Sequence, residues 1–342
     1  MHSNELPGSV STLPSWTRRM SLVALLKSKP DKQTPMQTKL SSILARLGLT
    51  LLLAISFALS AAARIESFFA GYGPNELAAE GENIWVTDSN GNTVSKLRAS
   101  DGSFLGVFPV GTSPEGVLFD GTSIWVVNYA SDTVTKLQPS DGKVLGTFPA
   151  GDGPVQAAFD GANIWLNNVY SDSVTKLDAR DGTLLGTFKV GLAAYDITFD
   201  GANIWTANSL SGTVTKLRAS DGVVLGRFRV SGAPQHILFD GTNIWTASSE
   251  DDMLTKLRAS DGTFLGKVPL GSTVYGMAFD GTNLWVSTPA NNSVLVLSQG
   301  RGIVQRTYQV ESGPNGILFD GTSIWVACTV SNTVNKITRS EP

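Results

Sequence analysis

The chain has 342 residues with 26 Lys plus Arg, 29 Asp plus Glu, a formal net charge of −3, one cysteine and two histidines. That balance argues against a surface built for nucleic acid or anionic membrane. A single cysteine leaves no internal disulfide to hold the fold.

Residues 1–63 stand apart from the rest. Leu47 to Ala63 is uncharged and mostly apolar, follows Lys39 and Arg46, and ends in Ser60-Ala61-Ala62-Ala63. This is a secretory signal pattern with cleavage expected near Ala62 or Ala63. The stretch before Met36 is too long for an n-region, so translation is expected to start at Met36. Residues 1–35 then form a spurious or disordered extension, and 36–63 the signal peptide. The competing reading is an uncleaved anchor, for which seventeen residues are at the short limit. The first 63 residues carry seven of the basic and two of the acidic side chains, so the remainder has a formal charge of −8. A secreted or periplasmic monomer, with no stable membrane association after cleavage, is expected.

From residue 64 onward one unit repeats. Tryptophans fall at 85, 125, 165, 205, 245, 285 and 325, each 40 residues after the last. A period of that length marks one supersecondary unit copied seven times. The second copy shows its parts: Gly116 to Phe119, Ser123 to Asn128, Thr133 to Leu137 and Val144 to Phe148 are four short apolar or β-branched runs. Asp120-Gly121 and Asp141-Gly142 are hairpin signals, because glycine takes the positive φ of a tight turn. Each unit therefore reads as a four-stranded antiparallel meander, the size of a propeller blade. Ile124-Trp125-Val126-Val127 is apolar on both sides of the pleat, as for a sheet sandwiched between neighbours. The expected fold is all-β: a seven-bladed β-propeller over residues 64–342.

The seventh copy, from Gly316 to Thr338, has only three strands. Arg64 to Gly71 matches Val144 to Gly151 in repeat position, 80 residues earlier. Residues 64–70 are therefore expected to complete the last blade and close the ring.

Function should lie where the copies differ. Phe-Asp-Gly recurs from 119, 159, 199, 239, 279 and 319, so the turns on that side, the bottom, are nearly constant. The top turns vary. Three residues before the Phe position, at the expected mouth of the axial channel, come Glu76, Gly116, Gln156, Asp196, His236, Gly276 and Gly316. One position earlier come Asn75, Glu115, Val155, Tyr195, Gln235, Tyr275 and Asn315. A ligand site is therefore expected from Glu76, Glu115, Gln156, Tyr195, Gln235 and Tyr275. His236, the one histidine beyond the leader, and Asp196, at the same position one blade earlier, are the candidate catalytic pair. Glu250-Asp251-Asp252 is an acidic top turn with oxygen donors suited to a hard divalent cation. Lys96, Lys136, Lys176, Lys216 and Lys256 recur on the third strand and read as a solvated face. Cys328 stands where other copies carry Asn and reads as structural. No phosphate loop, dinucleotide fingerprint, zinc pattern or nucleophile elbow is present.

Trp125-Val126-Val127-Asn128 and Trp85-Val86-Thr87-Asp88 resemble the Tyr-Val-Thr-Asn tetrapeptide of YVTN propeller repeats. The wider unit, with Gly-Pro-x-Gly-Ile before the inner strand and Phe-Asp-Gly-Thr-x-Ile-Trp after it, resembles virginiamycin B lyase-like and NHL-type propellers. The likeness covers about residues 64–342. It implies a seven-bladed ring and, for the lyase, a magnesium-assisted elimination that opens a cyclic depsipeptide ester. It also implies a top-face site with more than one histidine together with carboxylates. His236 matches one such histidine, while the slot in the next blade is Gly276. The leading expectation is a non-catalytic propeller that binds a small molecule, protein or peptide through its top face. The alternatives are a metal-dependent (Mg or Ca) lyase or hydrolase with His236 as acid or base, and a passive repeat scaffold.

Overall fold

The structure, a computed structural model, describes residues 63–338. The expected leader and its cleavage site fall almost wholly outside them. Twenty-eight strands, β1 to β28, make seven four-stranded antiparallel sheets. The first blade is β2 (Pro74–Glu80), β3 (Asn83–Asp88), β4 (Thr93–Arg98) and β5 (Phe104–Pro109), in that order from the axis outward. The inner strands of the next five are β6 (Pro114–Phe119), β10 (Pro154–Phe159), β14 (Ala194–Phe199), β18 (Pro234–Phe239) and β22 (Gly276–Phe279). Blade seven joins β26 (Pro314–Phe319), β27 (Ser323–Cys328) and β28 (Thr333–Thr338) to β1 (Arg64–Phe69). The β1–β28 register runs from Arg64 opposite Thr338 to Phe69 opposite Thr333. The expected ring closure is therefore present, and it covers the hydrogen-bonding edge that β28 would otherwise expose.

Turn chemistry matches the repeat. Gly121 and Gly142 sit at φ +94° and +70°, a region closed to residues with a Cβ at little cost. Seven apolar clusters hold the ring together, each built from two adjoining blades. One pairs Trp85 and Val94 with Val117, Ile124 and Leu137 of the next blade. The repeat tryptophans are almost wholly buried. Most pack at a tilt on an aromatic ring of the outer strand, as Trp85 does on Phe108 at 5.3 Å between centroids.

The Asp of Phe-Asp-Gly does more than turn the chain. Asp120 accepts hydrogen bonds from the backbone N–H of Thr122 and Ser123, both at 2.7 Å, and from the Trp125 indole N–H at 2.7 Å. The same indole bond recurs from Trp165, Trp205, Trp245, Trp285 and Trp325. In blade one Glu80 replaces the aspartate, and its bond to Trp85 stretches to 3.5 Å.

The repeat lysines correct the sequence reading. They are not a solvated face. Lys96, Lys136, Lys176 and Lys216 are 6–9 % exposed, and Lys256 is half-buried. Each ammonium lies over its own blade's tryptophan, 4.7–5.1 Å from the ring centroid. Each also donates to backbone carbonyls of the next blade. Lys216 reaches Ala259 and Ser260 at 2.7 and 3.0 Å. Lys336 does the same across the closure, to Ala99 and Ser100 at 2.6 and 3.1 Å. The lysine stem snorkels along apolar surface to deliver its charge to the neighbouring sheet, which no period-two pattern within one strand can reveal.

Candidate functional site

The inner strands run down from the top face, so their first residues rim the axial opening. Entry into each strand involves a β-bulge in most blades, and the bulge differs between copies. In blades one and three pairing skips to Leu77 and Ala157, leaving Glu76 and Gln156 inside the bulge. In blades four and five it resumes at Asp196 and His236, opposite Ala207 and Ala247. A bulge re-aims the side chain it holds, so residues in one repeat slot reach the axis differently.

The outcome is a mouth of about 430 Å³ that gathers Glu76, Glu115, Gln156, Tyr195, Asp196, Gln235, His236 and Tyr275. Asn75, Tyr129, Val155 and Asn315 complete its wall. Tyr129 was not anticipated, because it comes from the turn between second and third strands rather than from the inner-strand slots. A narrower space of about 160 Å³ lies against the same ring and one residue deeper, reaching Leu77, Val117 and Ile197.

Glycine in three slots makes room. A Cβ on Gly116 would lie 2.6 Å from Gln156 Oε1, and one on Gly316 2.3 Å from the Asn75 carbonyl. Blade two's lack of a side chain lets Gln156 of blade three donate to Glu76 of blade one at 3.0 Å. A second chain of bonds runs from the Asn315 amide to Asn75 and from the Asn75 amide to Glu115. Tyr129 and Tyr170 share a hydroxyl–hydroxyl bond, which drives the Tyr129 pKa to about 12.

Burial dominates the electrostatics. It raises Glu76 to about 7, Glu115 to about 7 and Asp196 to about 8, against hydrogen bonds that pull the other way. Desolvation alone lowers His236 to about 4, so its imidazole is neutral at physiological pH. His236 Nδ1 stands 3.9 Å from Asp196 Oδ2, beyond hydrogen-bond range. The Asp196 oxygens are instead taken by backbone N–H groups, Ile197 at 2.7 Å and Ile237 at 2.8 Å. The two side chains meet at one place but are not a hydrogen-bonded dyad.

The magnesium implied by the resemblance finds no matching donor set. Among the described residues no three His, Cys, Asp or Glu side chains converge on a metal position. The acidic turn of blade five spreads its carboxylates: Asp251 accepts from Ser231, and Asp252 from Thr273 at 3.0 Å. Cys328 is fully buried, with its thiol pushed to about 12 by desolvation.

No family model and no curated protein matches the sequence. Solved structures do match. Hydrazine synthase of Kuenenia stuttgartiensis superposes with a TM-score of 0.70 at 18 % identity, covering 78 % of this chain and 95 % of that one. A streptogramin B lyase superposes at 0.70 and 19 % identity, covering 81 % and 97 %. Virginiamycin B lyase from Staphylococcus aureus does so at 0.70 and 17 % identity, covering 81 % and 99 %. At such identities the likeness speaks for architecture: this chain has the seven-bladed propeller fold of the virginiamycin B lyase-like structures.

Proposed function

We propose that the protein is a secreted or periplasmic binding propeller that takes its ligand in the top-face mouth without transforming it. The observation that carries this reading is the mouth itself. The residues that break an otherwise regular repeat line one concavity, of a size usual for small-molecule sites. Asn75, Glu76, Glu115, Gln156 and Asn315 are tied to one another across the mouth, which favours a preformed cradle. An imidazole held near pKa 4 and 3.9 Å from the nearest carboxylate is a weak base at neutral pH.

The test is a melting screen of small molecules against the protein and its Tyr195→Leu and Gln235→Leu variants. A ligand at a hundred times its dissociation constant adds about 2.7 kcal/mol, or about 4–5 °C for a chain of this size. Shifts should vanish in both variants. A ligand whose shift survives both substitutions binds elsewhere and refutes the assignment.

A second reading is a lyase or hydrolase with His236 as acid or base and Asp196 as its partner. It is supported by the fold shared with lyase structures and by carboxyls held near neutral titration, as acid–base groups often are. Opening of a cyclic depsipeptide ester, abolished by His236→Ala, would establish it over simple binding.

A further inference from the structure

We propose that the ligand of the mouth is a small organic cation, an ammonium group carried on an apolar body. This rests on the mouth being the binding site and adds the chemistry it selects. The wall holds three carboxyls, Glu76, Glu115 and Asp196, and three tyrosines, Tyr129, Tyr195 and Tyr275, with no lysine or arginine. The bias extends over the whole face. No turn leading into an inner strand, and none joining a second strand to a third, contains Lys or Arg in any of the seven blades. The same turns contain Asp132, Asp152, Asp172, Glu250 and Asp251. Lys189, Arg229 and Lys267 belong to the outermost strands, from which Lys189 reaches the Ser171 carbonyl and Lys267 the Ser231 hydroxyl, none of them at the mouth itself. A concave opening ringed by one sign of charge focuses that field and concentrates counter-ions.

Hydrogen-bonding capacity points the same way. Several of the donors that an anion would need are already engaged. The Asn75 and Asn315 amides, the Gln156 amide and the Ile197 and Ile237 N–H groups all point at carboxylates or amide oxygens of the site. The tyrosine rings offer the π-faces that ammonium groups favour. Tyr275 is 44 % exposed, and its ring stands 6.5 Å from the His236 ring.

The carboxyls come from blades one, two and four, around the opening rather than at one point. A compact divalent ion needs its oxygens gathered at about 2–2.6 Å; a diffuse organic cation does not. Tyr170, exposed beside Tyr129, and the exposed Leu192 and Leu210, whose turns pair through the backbone, offer apolar side chains on the same face, available to the ligand's body. Burial of the carboxyls without a counter-charge raises their pKa values, and a bound cation relieves that cost.

The experiment is calorimetry on the full chain at pH 8.5 and low salt with three probes of one shape: phenethylamine, 2-phenylethanol and phenylacetate. The amine should bind at least tenfold more tightly than the alcohol, and phenylacetate should not bind. Glu115→Gln should weaken the amine at least fivefold and leave the alcohol unchanged, and 0.5 M NaCl should weaken the amine alone. Alcohol or phenylacetate binding as tightly as the amine overturns the cation but leaves the site standing. Magnesium or calcium binding that displaces the amine assigns the mouth to a metal and also overturns it. Failure of all three probes ends the cation reading, and the melting screen then judges the site on its own.

Discussion

Lys216→Met isolates the contact between blades four and five. The ammonium makes two bonds to backbone carbonyls, at 2.7 and 3.0 Å, and lies 4.9 Å from the Trp205 centroid. Methionine keeps the stem and removes the charge. A hydrogen bond from a charged donor contributes about 1.5–3 kcal/mol, and a desolvated cation–π contact adds roughly 1–2 kcal/mol. Against these stands the cost of keeping an ammonium out of water, several kcal/mol per ion. The net loss expected is about 3 kcal/mol, because the two carbonyls lose their partner without gaining another. At roughly 0.6 kcal/mol per degree for a chain of this size, melting should fall by about 5 °C. Differential scanning calorimetry at 0.05 and 0.5 M salt should give the same drop, since screening barely reaches a buried contact. Lys143→Met, on the exposed part of blade two, supplies the control and should move melting by less than about 1 °C. Equal effects from the two substitutions, or a drop for Lys216→Met that salt erases, would refute the buried latch.

The same geometry sets three further outcomes. Deleting residues 64–69 removes the strand paired along β28 and should drive the chain into edge-paired aggregates; light scattering showing an unchanged particle mass with unchanged melting counts against the closure. Glu76 ionises near 7 in the folded chain against an ordinary 4.5. The folded state therefore holds an extra proton between those values, and its stability falls as pH rises through that window. Glu76→Gln should raise stability at pH 8.5 by roughly 3 kcal/mol relative to pH 4.5; parallel wild-type and variant curves across that range would show that the carboxyl is not buried. His236 acts in the opposite sense, since its folded value near 4 costs stability as pH falls below 6.5.

Much of this architecture was legible in one dimension. A Trp every 40 residues, with Asp-Gly between β-branched runs, specifies a blade because turn and pleat are local properties. The match of Arg64–Gly71 to Val144–Gly151 specified the closure for the same reason. The positions that line the mouth were legible as breaks in the repeat, from Glu76 to Tyr275. Tyr129 was missed because it enters the mouth from another turn.

What remained hidden depends on one sheet meeting the next. Whether Lys216 faces water or a neighbouring carbonyl is decided by where blade five sits. Whether His236 touches Asp196 is decided by bulges that give Ile237 N–H, not the imidazole, to the carboxylate. The sequence alone determined the blade, its count and its order, since these follow from backbone periodicity. Only the tertiary structure decided charge burial and pairing across blades, because desolvation depends on what packs above a residue, and that neighbour lies some forty positions away.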